Sequence, residues 1–383
     1  MNQLSSVVAN RHCRRASVKI KLNALSSNLS KVREYAPGSQ VMAVIKANAY
    51  GHGMLMAAQQ LVDADLFAVA MPEEAYALRA DGCTKPILVL HGFCNATELE
   101  QFYKLNLSTV IHQRLQLDLL LGMSLEHNVS SALDAWIKVD TGMHRLGISI
   151  DELDAYFGQL RNCRNVKNVF VMSHFANADD VCNALNNKQL NKFIKVTNDI
   201  DVDCSMANSA AIMRLPKSHF EIVRPGIMLY GSSPFCDVSA ADLGLQAVMQ
   251  FESILIDIKV VKAGQSIGYG STYTADKDIT MGVVAAGYGD GYPRHARNGT
   301  PVWINQHRSG LLGRVSMDSL CIDLSNIEAS IGDRVVLWGE ELSVDEVAKF
   351  SDTIAYELLC NAGRAVNTYA TINNKQACNN QTA

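Results

Sequence analysis

A single lysine, Lys46, stands directly behind an apolar, β-prone run in Val44-Ile-Lys-Ala-Asn-Ala-Tyr-Gly-His-Gly53. Burial disfavours the ammonium form. A lysine that a strand delivers into a site can therefore present a free amine, the species that condenses with a carbonyl to form a Schiff base. Taken by itself, a strand-end lysine is more often solvated. A dinucleotide-binding turn does not fit, because Met56 stands where that fingerprint needs its third glycine. Arg224 is a donor only: it can hydrogen-bond a ring nitrogen but cannot give it a proton. A phenol titrates near ~10, so Tyr269 could act as a base at neutral pH only with cations nearby, and a structural role explains it equally well. By their residue types alone, His174 reads as a satisfied core histidine, Met317 as core packing and Asn208-Ser209 as a turn or helix cap. Lys138 falls within a strand candidate, where a bare ammonium is costly unless paired, for example with Asp140.

Elements of regular spacing must position these groups. Short apolar runs occupy 41–45, 66–70, 86–90, 109–111, 136–139, 169–172, 203–206 and 221–223, separated by longer stretches of mixed pattern. Eight such runs, at the pitch of βα units, predict an α/β fold with an eight-stranded (β/α)8 barrel. Continuous apolar character suits strands buried on both faces. Lys46 follows the first run, His174 the sixth, Ser209 the seventh and Arg224 the eighth. Barrel enzymes gather their chemistry at these C-terminal strand ends. Beyond Gly231 the texture changes: 246–261, 279–286, 301–304, 320–323 and 334–337 are strand candidates without helices between them, and they predict a mainly β C-terminal domain. Ser343-Val-Asp-Glu346 is a capping-box pattern that opens a short helix. The expected organisation is a loose tail over 1–16, the barrel over 17–240, the β domain over 241–370 and a frayed tail over 371–383.

Composition narrows the function classes. The 383 residues suffice for two domains, and the net charge of −4 gives no electrostatic reason to expect a nucleic-acid partner. No apolar run approaches the ~20 residues that span a bilayer, so no membrane partner is expected. Arg11, Arg14 and Arg15 are not followed by an apolar segment, which argues against a secretory signal. The ten cysteines form no C-x-x-C pair and read as reduced thiols in the cytoplasm. No His/Cys cluster suggests a metal.

The Lys46 segment closely resembles the cofactor-lysine signature of the bacterial alanine racemases, pyridoxal 5'-phosphate enzymes of fold type III. The resemblance continues through Lys138-Val-Asp-Thr-Gly-Met-His-Arg-Leu-Gly147, Ser173-His-Phe-Ala176, Ala207-Asn-Ser-Ala-Ala211, Val223-Arg-Pro-Gly-Ile227, Gly268-Tyr-Gly270, Gly287-Tyr-Gly-Asp-Gly291 and Gly313-Arg-Val-Ser-Met-Asp318, in the family's order. It implies a barrel joined to a β domain and the interconversion of L- and D-alanine for peptidoglycan. It implies that Lys46 forms the internal aldimine and serves the D enantiomer, while Tyr269, from the partner subunit of a homodimer, serves the L enantiomer. It further implies that Arg224 meets the pyridine nitrogen with His174 beside the ring. Tyr50, Ser209, Gly226 and Ile227 would bind the phosphate. Arg145 would contact the phenolic oxygen and the substrate carboxylate. Met317 and Tyr288 of the partner would line the substrate entrance. In some family members the lysine matching Lys138 is carbamylated.

Two departures from the family pattern stand out. Cys360-Asn-Ala-Gly-Arg-Ala-Val-Asn367 is one residue short before the arginine and lacks the family's tyrosine and proline, and Ile20-Lys-Leu22 replaces the acidic centre of the opening strand. The shortened segment leaves open a racemase of serine or of broader specificity. A single-barrel cofactor-binding regulator would lack the β domain and Tyr269. A related decarboxylase would carry a cysteine motif that is not found here. A cofactor-free binding protein would show no visible absorbance.

Overall fold

The computed structural model describes residues 15–123, 132–365 and 368–371. Apart from Thr371, the last residue of a strand, the expected frayed end over 371–383 lies outside these residues, as does most of the N-terminal tail. The first strand, β1 (Ser17–Lys21), is followed by eight strands that run parallel to one another. These are β2 (Gln40–Val44), β3 (Leu66–Val69), β4 (Ile87–Val89), β5 (Ser108–Ile111), β6 (Leu133–Lys138), β7 (Val166–Met172), β8 (Cys204–Ser205) and β9 (Ile222–Val223). They fall on the eight apolar runs of the sequence. Helices follow the strands, as in Pro72–Ala80 after β3 and Ala184–Thr197 after β7. The ladder runs β8-β7-β6-β5-β4-β3-β2-β9. The seam between its ends is closed just past β8 and β9, where the Arg224 amide donates to the Ala207 carbonyl at 2.9 Å. All residues of β4 and β5 are buried, the pattern expected when side chains point alternately into the barrel and under the helices. This compact unit comprises Leu25–Ala49 and Met54–Leu245.

The second unit takes in the chain up to Ala24, Tyr50–Gly53 and the residues from Gln246 onward. Its strands are β10 (Met249–Val261), β11 (Ser266–Ile267), β12 (Tyr273–Thr274), β13 (Ile279–Val284), β14 (Pro301–Ile304), β15 (His307–Gly310), β16 (Leu320–Asp323), β17 (Arg334–Trp338) and β18 (Thr368–Thr371). The long β10 is its spine, pairing antiparallel with β1, β13 and β17. Ser343 caps the helix Val344–Phe350, its hydroxyl accepting from the Asp345 amide, where the capping-box pattern predicts a helix start.

The sequence pattern predicts a barrel from residue 17, but β1 is no part of that ladder. It pairs antiparallel with β10 and parallel with β18, so the opening strand completes the β unit. The reason lies in the alternation of β1, whose Val18 and Ile20 are fully buried and whose other residues are only partly so. A strand buried on one face suits a sheet covered on one side better than a barrel wall.

The shortened C-terminal segment also has a physical explanation. Cys360 to Arg364 lies on the helix Ala355–Ala365, and Gly363 sits directly on Gly51. A Cβ at residue 363 would come within 1.9 Å of the Gly51 carbonyl oxygen, and one at residue 51 within 2.3 Å of the Leu359 oxygen. No side chain fits before Arg364, a tyrosine least of all. Gly363→Ala is expected to destabilise the protein by about 1–3 kcal/mol through this overpacking, and the urea midpoint against wild type checks it.

Candidate active site

The lysine is positioned by a locally strained backbone. Leaving β2, the amide of Ile45 still donates to Ala68, and the Tyr230 hydroxyl donates to the Val44 carbonyl. Beyond Lys46 the chain turns left-handed: Ala47, Asn48, Ala49 and Tyr50 all have φ of 53–54°. Each non-glycine residue in that region costs about 1–2 kcal/mol, so such a run persists only where the surroundings hold it. Three bonds do so. The Ala49 amide donates to the Ile45 carbonyl, the Met54 amide to the Asn48 side chain, and the Ala47 amide to Glu74 Oε1 at 2.6 Å.

Arg224 follows β9 and is almost fully buried. Its guanidinium donates to Ser205 Oγ at 2.5 Å, to the Met206 carbonyl at 3.3 Å, and to the Ser173 carbonyl. Burial lowers it to about 10, so it stays charged at neutral pH. A further N–H approaches His174 Nδ1 at 3.4 Å. Since arginine only donates, Nδ1 is the acceptor and the imidazole proton resides on Nε2. His174 is held well below its usual range by burial first, then by Arg224, Lys138, Arg145 and Lys46. A neutral histidine is therefore built in.

Lys46, Lys138, Arg145, His174 and Arg224 thus share one electrostatic environment at the C-terminal ends of the strands. Ser209 starts the helix Ser209–Arg214, capped by Asn208, whose side chain accepts from the Ala211 amide. Ser209 Oγ accepts from the Gly226 amide at 2.9 Å and the Met228 amide at 3.4 Å. Ser209 Oγ thereby ties the helix start to Gly226 and the turn Ile227–Tyr230.

The other predicted residues belong to the second unit. Tyr50 is buried, its ring 5.8 Å from that of Tyr356. Burial, then Tyr356 and Cys360, push its phenol up, so it remains a hydrogen-bond donor. Tyr269 stands on the turn between β11 and β12 and is 68% exposed. Ile267 roots this hairpin in a cluster with Val261, Ile279, Met281 and Leu312. Arg314 lies beneath it, close enough that a Cβ on Gly270 would be 3.6 Å from the guanidinium. Met317 is 54% exposed and adjoins Tyr288, whose amide donates to the Ser316 carbonyl.

Three positions escaped the sequence reading. Gln189 binds the His174 carbonyl, the Ala176 amide and Thr141 Oγ1, and Thr141 in turn meets Ser173 Oγ at 2.8 Å. A glutamine on the buried face of the helix Ala184–Thr197 was the available signal. For Glu74, Pro72 followed by a carboxylate at the third helical position announces a helix start, and nothing more. Asp140, considered only as a partner for Lys138, accepts from the amides of Gly142, Met143 and His144 and so shapes the loop bearing Arg145.

Lys138 carries the site's least comfortable charge. Burial, then Arg224, Arg145 and Lys46, push it down to about 8, against a pull upward from Asp140. In the unfolded chain it titrates near 10.5. Across that interval the unfolded state binds more protons, so stability rises with pH, and the lysine costs most below the lower value. Lys138→Met is expected to flatten this rise, which urea midpoints measured from pH 8 to 10.5 would reveal.

Comparison with known proteins places the site in context. Residues 20–234 match the family model "Alanine racemase, N-terminal domain" and residues 248–370 match "Alanine racemase, C-terminal domain". The chain is 46% identical to an alanine racemase of Vibrio parahaemolyticus, covering 90% of this chain and 96% of that protein. It is likewise 46% identical to the biosynthetic alanine racemase of Escherichia coli over 90% of this chain and 96% of that one. The crystal structure of biosynthetic alanine racemase from Pseudomonas aeruginosa superposes with a TM-score of 0.90 at 42% identity, covering 94% of this chain and 99% of that one. Alanine racemase from Bartonella henselae, solved with covalently bound pyridoxal phosphate, gives 0.83 at 29% identity over 93% and 99%.

Proposed function

This chain belongs to the alanine racemase family, and from that premise we propose that Lys46 and Tyr269 are the two bases of its pyridoxal 5'-phosphate-dependent interconversion of L- and D-alanine. When bound, the cofactor supplies an electron-withdrawing ring that acidifies the α-hydrogen of an attached amino acid. The residues present suit it. One observation carries the reading: Arg224 is buried, charged and fixed by three acceptors, with a neutral His174 beside it. Lys46, Lys138, Arg145 and Arg224 act together there, with Asp140 pulling the other way on Lys138, an environment that favours an anionic guest.

Lys46 holds the cofactor through its amine. Arg224 is assigned to the pyridine nitrogen, where a donor that keeps its proton leaves the ring a modest electron sink. Ser209, Gly226, Ile227 and Tyr50 are assigned to the phosphate, and Arg145 to the phenolic oxygen and the substrate carboxylate. With the substrate's amino group in its place on the cofactor, Lys46 would have a free amine, which in the D-to-L direction removes the α-proton from one face, while the Tyr269 phenol gives its own to the other. The reverse direction exchanges their roles, with the Tyr269 phenolate as base and the Lys46 ammonium as acid. Lys138, with a low-lying ammonium, has the amine character needed to take up carbon dioxide as a carbamate and pair with Arg145.

The working unit in this reading is a homodimer. Tyr269 and Met317 are exposed on the second unit, together with Tyr288, as residues offered to a partner's barrel would be. The product is D-alanine for peptidoglycan, made in the cytoplasm, a role in keeping with the biosynthetic name of the E. coli relative. No helix among the described residues is long and apolar enough to cross a membrane.

Lys46→Ala is expected to abolish borohydride-trappable attachment of the cofactor and nearly all racemisation. Trapping on another lysine in wild type refutes the assignment. A panel of L-amino acids, with alanine expected far ahead of serine, tests the substrate. Shared sites are tested separately by mixing Lys46→Ala with Tyr269→Phe under subunit exchange. Half of randomly paired dimers are hybrids with one intact site of two, so roughly a quarter of wild-type activity should return. No recovery despite confirmed exchange sinks the shared site.

A further inference from the structure

The peptide joining Lys46 to Ala47 decides where the lysine side chain points. That unit is planar, so fixing the Ala47 N–H fixes the plane that follows Lys46; with the strand before it held through the Ile45 amide on Ala68, the ψ angle of Lys46 and the direction of its Cα–Cβ bond are restricted. Its partner is not a neighbour in sequence. The Ala47 amide donates to Glu74 Oε1 at 2.6 Å. The other oxygen of the same carboxylate accepts from the Ala70 amide at 2.9 Å and the Met71 amide at 3.2 Å, where β3 passes into the helix Pro72–Ala80. One side chain therefore ties the turn after β2 to the turn after β3. It does so at the first residue of a left-handed run that the backbone resists.

We propose that Glu74 is a positioning residue for Lys46: its carboxylate locks the left-handed turn after β2 against the start of the next barrel helix, and so presents the lysine at one angle. The inference rests on the reading of Lys46 as the cofactor lysine. Only a carboxylate does this work. Both of its oxygens accept, and both face N–H groups. A glutamine has one oxygen and one NH2 group, so in either orientation an N–H group would face another N–H donor. Helix capping alone would also use Glu74, but it would require only the oxygen that meets Ala70 and Met71.

The two roles separate by experiment. Full-length wild type, Glu74→Gln and the neighbouring control Glu73→Gln are stripped of cofactor and reconstituted with pyridoxal 5'-phosphate. Covalent attachment is followed by borohydride trapping and peptide mapping, and hydrogen exchange is read at the Ala47 amide. Glu74→Gln is expected to slow attachment at Lys46 about tenfold or more, as loss of a charge-assisted bond does, and to expose the Ala47 amide, while Glu73→Gln matches wild type. A cap alone would lower Tm and leave the attachment rate and Ala47 exchange unchanged, and that result overturns the proposal. Should Glu74→Gln fail to fold, exchange in cofactor-free wild type decides: protection of Ala47 supports the clamp, and exchange at the unprotected rate overturns it. If wild type traps the cofactor on another lysine, the assignment of Lys46 falls, while Ala47 exchange still reports on the clamp.

Discussion

One buried guanidinium sets the terms for the rest of the barrel. A charge the size of Arg224 is expensive to remove from water, by several kcal/mol even after relaxation, unless it is hydrogen-bonded throughout. Its acceptors come from different strand ends: Ser173 beyond β7, Ser205 in β8 and Met206 just after it. Ser205 in turn donates to the Ile222 carbonyl of β9 at 2.6 Å. These are the strands flanking the seam, where β8 and β9 stand at the two ends of the hydrogen-bonded order. The arginine proposed to meet the cofactor thus also ties the strand ends across the seam, and its backbone amide adds a bond across the same gap. Thr141, Ser173 and Gln189 are fully or nearly fully buried behind it and complete the network without leaving it half satisfied.

That charge governs its neighbours. His174 accepts from Arg224 at Nδ1 and keeps its proton on Nε2, an arrangement that exists only while the ring is neutral. Burial, and then the surrounding cations, keep it so. Against them stands Asp140, whose oxygens are already engaged by the amides of Gly142, Met143 and His144 and by the His144 ring. The mouth is therefore short of negative charge. A phosphate and a substrate carboxylate would relieve the repulsion that adds to burial in depressing Lys138, so binding and the comfort of the fold point the same way.

Much of this was legible in the sequence, for a reason that differs between parts. Barrel strands are largely covered on both faces and so leave short apolar runs, and all eight announce themselves even where β7 exposes Lys167 and Asn168. Lys46, His174 and Arg224 were visible because each follows such a run. The allegiance of β1 was hidden, since five alternating residues do not say which sheet they join. Glu74 and Gln189 were hidden for a deeper reason: each acts on backbone groups distant in the chain, and a backbone amide leaves no letter in a sequence. The left-handed run from Ala47 to Tyr50 was hidden too, because none of its residues is a glycine to mark it. Gly363 was visible as a departure, and only its contact with Gly51 showed why no side chain can stand there.

Racemisation by two bases explains why a barrel alone does not suffice. All parallel strands of a barrel end on one face, so the side chains they deliver approach a bound ligand from the same general direction. Lys46, His174 and Arg224 are of this kind. A proton returned to the opposite face of a flat intermediate must come from elsewhere. Tyr269 fits that need: it is carried on a short hairpin of a different unit, anchored by Ile267 and backed by Arg314, with its ring left in the open. A tyrosine so exposed gains nothing for its own unit's core. In the proposed assignment its place becomes intelligible once a second chain brings its barrel to meet it, which makes association a condition of the chemistry and not merely of stability.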